Sequence, residues 1–164
     1  MKAIPILANY RFFDYLNFIL NQCLFSAACG GAYTASNGLI TSPNYPSFHP
    51  LDIDCSYRIT VATGNKIQLY FRDFNIEAHS NCIYDFLEIR DGSTATAPLI
   101  GNRTWCGTVA PPASFSTGNT LFMRFKSDLT VQNAGFAVSY TSSVRSELIL
   151  LLLIFVLVSG SISL

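Results

Sequence analysis

Short runs of alternating apolar and polar residues fill the middle of the sequence, from Cys29 to Tyr140. Side chains that alternate with a period of two belong to strands with one buried face. Turn residues separate the runs, for example Thr-Gly-Asn at 63–65 and again at 117–119. No stretch of this region repeats with a helical period. The pattern therefore predicts an all-β fold, an antiparallel sandwich of two sheets. The runs cover residues 57–61, 67–71, 86–90, 121–125 and 136–140.

Five cysteines, Cys23, Cys29, Cys55, Cys82 and Cys106, constrain this fold further. No pair has the Cys-x-x-Cys spacing and the chain has only two histidines, so a zinc site is not expected. The spacings within 29–55 and 82–106 suit two disulfides that close long loops in an oxidising compartment. The four cysteines Cys29, Cys55, Cys82 and Cys106 allow three pairings, and spacing alone does not choose among them.

The first 28 residues are interpreted as a secretory signal peptide. Lys2 and Arg11 precede an apolar run, and the small residues Ser26 and Ala28 suit cleavage before Cys29. Cleavage would remove Cys23 and leave an even number of cysteines. Polar residues interrupt the apolar run, so a leader that is not cleaved or a misassigned start is the alternative.

The C-terminal end carries a second apolar segment, residues 148–164, behind a short spacer at 142–147. Its unbroken core, Leu148 to Val158, is shorter than the roughly 20 residues that span a bilayer. A short apolar tail behind small residues predicts a glycosylphosphatidylinositol (GPI) anchor signal, with Ser142 or Ser143 as the attachment site. The polar spacer is shorter than such signals usually have. A retained short membrane helix and a truncated end are the alternatives.

Charge and motifs exclude two classes of function. The formal net charge is zero, with ten basic and ten acidic residues, whereas a nucleic-acid binder shows a basic excess. The sequence contains neither His-Glu-x-x-His nor Gly-x-Ser-x-Gly. We therefore expect a protein that is not an enzyme.

An ordered set of motifs resembles a CUB domain, the extracellular module of complement proteases, astacin-type developmental proteases and spermadhesins. The resemblance covers residues 29–141 and implies the disulfides Cys29–Cys55 and Cys82–Cys106. It also implies about ten strands in a jelly-roll-like sandwich. The motifs are Cys-Gly-Gly at 29–31, NGLITSPNYPSFHP at 37–50, DFNIEAHSNCIYDFLEIRDG at 73–92, Trp-Cys-Gly at 105–107, and MRFKSDLTVQNAGFAVSY at 123–140.

The same resemblance implies a site for one Ca²⁺, because Glu77, Asp85 and Asp128 stand where calcium-binding CUB domains have their acids. Calcium takes six to eight oxygen ligands, and carboxylates are prominent among them. Three carboxylates brought together without a cation would repel one another and raise at least one pKa. The alternative is that they are solvated loop acids that never converge.

Residues beside these acids are candidates for the surroundings of the ion or for partner contact. His49 stands where many calcium-binding members have a tyrosine, and it is either a neighbour of the ligands or a surface loop residue. Phe48 and Tyr84 are possible aromatic contacts. Asn102 begins an Asn-Arg-Thr sequon for N-glycosylation. Trp105 is expected to pack in the core or at its edge.

These observations predict a non-catalytic binding module on the extracellular face of the plasma membrane, or secreted. It would recognise a protein through calcium-organised acids that receive a lysine or arginine of the partner. One alternative is a carbohydrate-binding or adhesion protein like the spermadhesins, without a role for calcium. The other is a fragment of a larger CUB-containing protease or receptor.

Overall fold

The computed structural model describes residues 29–144, which form a sandwich of two four-stranded sheets. Within this range the only helical segment is a 3₁₀ turn at Ile100–Asn102. The predicted all-β sandwich is confirmed. The strands are β1 (Gly30–Tyr33), β2 (Asn37–Thr41), β3 (Asp54–Thr60), β4 (Asn65–Asn75), β5 (Phe86–Arg90), β6 (Ser114–Phe115), β7 (Thr120–Lys126) and β8 (Gly135–Val144).

Consecutive strands lie in alternate sheets. The first sheet has the order β1-β3-β7-β5 and the second has the order β2-β8-β4-β6, so every connection crosses from one sheet to the other. All neighbours are antiparallel except β1 and β3, which run parallel. The resemblance implies about ten strands, and residues 29–144 form eight. Three single bridges pair further short segments: Ile76 with Gly107, Leu87 with Trp105, and Arg90 with Leu99.

The core lies between the sheets and is made by the alternating residues of the sequence pattern. Each inward residue of β3 stands opposite an inward residue of β7, so one face of the first sheet is continuously apolar. Phe125 of the first sheet packs edge-on against Phe136 of the second, with ring centroids 5.6 Å apart. The buried set includes Cys55, Tyr57, Ile59, Ile67, Leu69, Leu87, Ile89, Leu121, Met123, Phe125, Phe136, Val138 and Tyr140.

A β-bulge changes the alternation of β4. Its register against β8 shifts between Phe71 and Asp73. Before the shift the odd-numbered Ile67 and Leu69 are buried, and after it the even-numbered Phe74 and Ile76 are buried. Ile76 then exchanges two backbone hydrogen bonds with Gly107, at 2.9 and 3.0 Å. The bulge and this bridge together fix the chain immediately before Glu77.

Two disulfides, Cys29–Cys55 and Cys82–Cys106, confirm the pairing that the resemblance implies. The first joins the residue before β1 to β3. The second joins the loop before β5 to the segment that follows the 3₁₀ turn. Each closes a loop of about 25 residues, worth roughly 3.5 kcal/mol in the chain-entropy account of disulfide stabilisation.

The interpretations of the two termini fall outside residues 29–144: the signal peptide at 1–28 with Cys23, and the tail at 148–164. Strand β8 continues to Val144, past the expected domain end at 141. Ser142 and Ser143 lie in this strand, and the Ser142 N–H donates to the Ser36 carbonyl at 2.7 Å. In the part of the chain that the structure describes, no helix is long and apolar enough to cross a membrane.

Gly135 yields a prediction about stability. Its φ is +79°, and a Cβ at this position would lie 1.9 Å from the Ser42 hydroxyl oxygen. Ser42 is itself held there, because its N–H donates to the Phe136 carbonyl and its hydroxyl accepts from the Phe136 N–H. Gly135→Ala should therefore lower the free energy of unfolding by about 2–4 kcal/mol, measured by chemical denaturation.

Gly118→Ala is the matched control, because an added Cβ at Gly118 meets no atom within 4 Å. We expect that change to alter the free energy of unfolding by less than about 1 kcal/mol. Equal losses in the two variants would contradict the proposed close contact between Gly135 and Ser42.

Candidate metal centre

Three loops meet at one end of the sandwich, and we call this the acidic end. In the first sheet, the start of β3 pairs with the end of β7, as Asp54 does with Lys126. In the second sheet, the end of β4 pairs with the start of β8, as Asn75 does with Gly135. The loops at 42–53, 76–85 and 127–134 therefore emerge side by side. This topology brings together acids that are far apart in sequence.

Glu77, Asp85 and Asp128 converge at this end. One carboxylate oxygen from each lies within 4.8 Å of the other two. Asp85 is only 1% exposed, and its Oδ1 accepts a hydrogen bond from the Asp128 N–H at 2.8 Å. Asp128 Oδ1 accepts from the N–H and the hydroxyl of Thr130 at 2.8 and 2.9 Å. The structure thus favours a built cluster over three separate solvated acids.

Two oxygens of this cluster, Asp85 Oδ2 and Glu77 Oε2, are buried and have no hydrogen-bond donor among the residues that the structure describes. Burial is the largest cause that raises the pKa of Glu77, and repulsion from Asp128 and Asp85 adds to it. Burial likewise raises the pKa of Asp85, although the hydrogen bond from the Asp128 N–H opposes the change. A cation between the carboxylates would offset their repulsion and supply the contacts that the two oxygens lack.

The chemistry of the donors selects the kind of cation. All three side chains offer carboxylate oxygens, the ligands preferred by hard divalent ions, and calcium tolerates irregular shells completed by main-chain carbonyls and water. No cysteine or imidazole belongs to the set, as a zinc site would require. The three residues therefore fit Ca²⁺.

His49 is fully buried beside the cluster, so its interpretation as a surface loop residue is wrong. Its Nδ1 lies 3.0 Å from the Pro50 carbonyl and its Nε2 lies 3.2 Å from the Asn133 N–H. The neutral tautomer that satisfies both contacts carries its proton on Nδ1. In that tautomer, Nε2 faces Asp85 Oδ2 at 3.3 Å without donating to it.

The aromatic candidates lie at the surface of the acidic end. Phe48 is 65% exposed and Tyr84 is partly exposed. The Tyr84 ring also packs edge-on against the His79 ring, with centroids 4.8 Å apart. Three further apolar side chains next to the acids in sequence are exposed as well. We call the five together the apolar rim: Phe48, Ile83, Tyr84, Leu129 and Val131.

Trp105 and Asn102 lie on the segment that the Cys82–Cys106 disulfide ties to the same end. Trp105 is buried, as expected, and exchanges two backbone hydrogen bonds with Leu87 at 2.8 and 2.9 Å. Asn102 is exposed at the end of the 3₁₀ turn. Its side chain is therefore accessible for glycosylation, which stays a prediction.

Two side-chain contacts at the acidic end are not among the expectations from the sequence. Thr130 donates twice to Asp128, and the Asp-x-Thr spacing is a signal for such a turn, because an Asp side chain often accepts from the N–H two residues on. Arg103 stacks on the Trp105 ring, with its guanidinium carbon 3.8 Å from the ring centroid. Their spacing of two residues carries no comparable signal.

Comparison with known proteins places this geometry in a family. The CUB domain profile matches residues 29–140. The chain belongs to the CUB domain family. Human Tolloid-like protein 1 is 44% identical over 117 residues, which cover 71% of this chain and 11% of that protein. Dog cubilin is 39% identical over 117 residues, which cover 71% of this chain and 3% of cubilin.

Solved CUB-containing structures have the same fold. The full extracellular region of zebrafish Gpr126/Adgrg6 matches with a TM-score of 0.64 and 32% identity, over 72% of this chain and 15% of that one. The MASP-1 CUB2 domain bound to Ca²⁺ matches with a TM-score of 0.61 and 34% identity, over 69% of this chain and 98% of that domain. The chain spans only 11% of human Tolloid-like protein 1 and 3% of dog cubilin, so both relatives are far longer than this CUB domain.

A second prediction compares two adjacent residues at the acidic end, the buried His49 and the exposed Phe48. His49→Ala removes a fully buried ring and leaves the Asn133 N–H without its acceptor, while the Pro50 carbonyl keeps the hydrogen bond from the Ser127 hydroxyl. It should lower the free energy of unfolding by about 2–4 kcal/mol. The measurement is chemical denaturation in the presence of a chelator, so that calcium does not contribute.

Phe48→Ala is the control for this variant. Phe48 is the larger aromatic residue, but it is exposed, so its loss should cost less than about 1 kcal/mol. A larger loss for Phe48→Ala than for His49→Ala would contradict the burial of His49.

Proposed function

We propose that this CUB domain is an extracellular binding module that holds one calcium ion with Glu77, Asp85 and Asp128 and uses the site to recognise a protein. One observation carries the proposal: the three carboxylates lie within 4.8 Å of one another, and two of their buried oxygens have no donor among residues 29–144. The CUB domain itself is a non-catalytic binding module. The acids therefore serve binding.

Charge balance indicates what the partner brings. Three ionised carboxylates and one Ca²⁺ leave a formal charge of −1 at the acidic end. One lysine ammonium or arginine guanidinium neutralises this charge, and each can hydrogen-bond to carboxylate oxygens that the ion leaves free. The calcium ion would hold the carboxylates in place before the partner arrives, which lowers the ordering cost of binding.

The apolar rim supports a protein partner. Its side chains, Phe48, Ile83, Tyr84, Leu129 and Val131, are between 43% and 72% exposed. Groups of exposed apolar residues are typical of protein-interaction surfaces. A carbohydrate partner remains the alternative, and nucleic acid is disfavoured because the acidic end would repel phosphates.

The family and the two disulfides support a location outside the cytoplasm, since disulfides persist in oxidising compartments. We further propose that residues 1–28 are a cleaved signal peptide, and that residues 148–164 direct attachment to the membrane by a lipid anchor or as a short helix. A role within a larger protease or receptor is the alternative proposal.

The proposed calcium site predicts that Asp85→Asn is less stable than the wild type in calcium but not in chelator. In 10 mM calcium, a site with a dissociation constant on the order of 10⁻⁴ M would stabilise the wild-type fold by about 2.7 kcal/mol. Asp85→Asn should lose this stabilisation. In chelator it should be at least as stable as the wild type, because the amide oxygen can still accept from the Asp128 N–H while one repelling charge is gone. Denaturation with and without calcium measures both effects.

Asp52→Asn is the matched control, because Asp52 is an exposed acid on the neighbouring loop and lies outside the cluster. It should keep the calcium-dependent stabilisation. If wild-type stability does not respond to calcium, or if Asp85→Asn responds as the wild type does, the proposed site is wrong.

Mass spectrometry of the mature protein from a secretory host tests the processing proposals. We expect an N-terminus at Cys29, because Ser26 and Ala28 suit the cleavage position, and a glycan on the exposed Asn102. We also expect a lipid adduct at Ser142 or Ser143. An intact N-terminus or an unmodified Asn102 would contradict the corresponding proposal, and a retained tail without a lipid adduct would exclude the lipid anchor and favour the short helix.

A further inference from the structure

A polar pocket with a cationic side chain, Arg103, adjoins the acidic end. It has a volume of about 390 Å³ and is polar on most of its surface. The Cys82–Cys106 disulfide contributes to its wall, which fixes the two segments that form it. Polar side chains supply the rest of the lining, and Arg103 is the permanent cation among them. They are His79, Ser80, Asn81, Arg103 and Thr104.

Arg103 differs from the other arginines that the structure describes. Each of the other four donates to a protein acceptor: Arg58 to the Ser93 carbonyl, Arg72 to the Ser139 hydroxyl, Arg90 to Glu88 and the Ala97 carbonyl, and Arg124 to Asp54. Within residues 29–144, Arg103 has no acceptor. Its guanidinium is instead held against the Trp105 ring at 3.8 Å. Stacking occupies one flat face of a guanidinium and leaves the N–H groups at its edge free for a planar anion.

The pocket and the carboxylate cluster are neighbours. His79 lines the pocket and follows Glu77 by two residues, a distance of at most about 7 Å along the chain. The His79 ring also contacts the Tyr84 ring at 4.8 Å, and Tyr84 immediately precedes Asp85. One surface therefore presents an acidic site and a cationic site side by side.

We propose that the Arg103 pocket binds a carboxylate side chain of the same partner whose basic residue docks at the calcium site. The partner segment would carry a lysine or arginine with an aspartate or glutamate close by. This inference rests on the proposed function. It favours a protein over a polyanionic glycan, because the neighbouring carboxylates repel a purely anionic ligand but match a segment with both signs of charge.

Synthetic peptides test the inference. Each peptide carries one lysine and one glutamate separated by one, two, three or four glycine or serine residues, and a paired peptide has glutamine in place of glutamate. The protein is the full chain with Asn102→Gly, which removes a glycan that would begin next to Arg103. Glycine suits this position because the φ of Asn102 is +56°. Calorimetry in calcium measures affinity, and the fluorescence of Trp105, the single tryptophan, reports binding at the pocket.

At one spacing or more, the glutamate peptide should bind about fivefold tighter than its glutamine pair. Arg103→Gln should abolish this preference without changing calcium affinity, and Arg103→Glu should shift it towards a peptide with a second lysine. Arg58→Gln is the control, since Arg58 is an exposed arginine on strand β3, and it should leave the preference intact.

The outcomes separate the two proposals. If lysine peptides bind in a calcium-dependent way but glutamate adds nothing at any spacing, or its effect survives Arg103→Gln, the inference is overturned and the proposed function stands. If no lysine peptide binds in a calcium-dependent way, both are overturned. A sulfated oligosaccharide that binds through Arg103 more tightly than every peptide would also overturn the inference.

Discussion

The arrangement of the acidic end depends on the contacts of one buried carboxylate, that of Asp85. Its Oδ1 accepts the Asp128 N–H at 2.8 Å and so positions the loop after β7. Its Oδ2 lies 3.3 Å from His49 and has no donor in the part of the chain that the structure describes. A buried ion without a full set of partners is costly. In our proposal, a cation held by the cluster supplies the missing partner.

Three local features shape the acidic end around that carboxylate. The bulge in β4 reverses which residues face the core and thereby delivers Glu77 to the site. The Cys82–Cys106 disulfide holds the loop that carries Asp85, and the close approach of Gly135 to Ser42 fixes the start of β8. None of these contacts involves the proposed ion. The scaffold is therefore built by packing, and the carboxylate repulsion that remains is the part that an ion can relieve.

The acidic end combines three chemistries on one surface: an oxygen-rich site, an apolar rim and the stacked Arg103. Each alone would be a weak indication of binding, because exposed acids, apolar residues and arginines are all common on protein surfaces. The alternation of strands between the sheets brings the loops with the acids and the apolar rim to one end. The Leu87–Trp105 bridge and the Cys82–Cys106 disulfide bring the segment with Arg103 to the same end. Binding residues are often found on such loops, because a rigid sandwich can position them while the loops vary.

By itself, the sequence determined the fold class and the identity of the acids. Period-two alternation predicts strands because it depends only on which neighbours face the core, and the ordered motifs identify the cysteine pairs and the three carboxylates through resemblance. Only the tertiary structure decided that β1 runs parallel to β3, that β4 carries a bulge, and that His49 is buried against Asp85. Those outcomes depend on contacts between residues far apart in the chain, such as His49 with Asn133, and no local pattern records them.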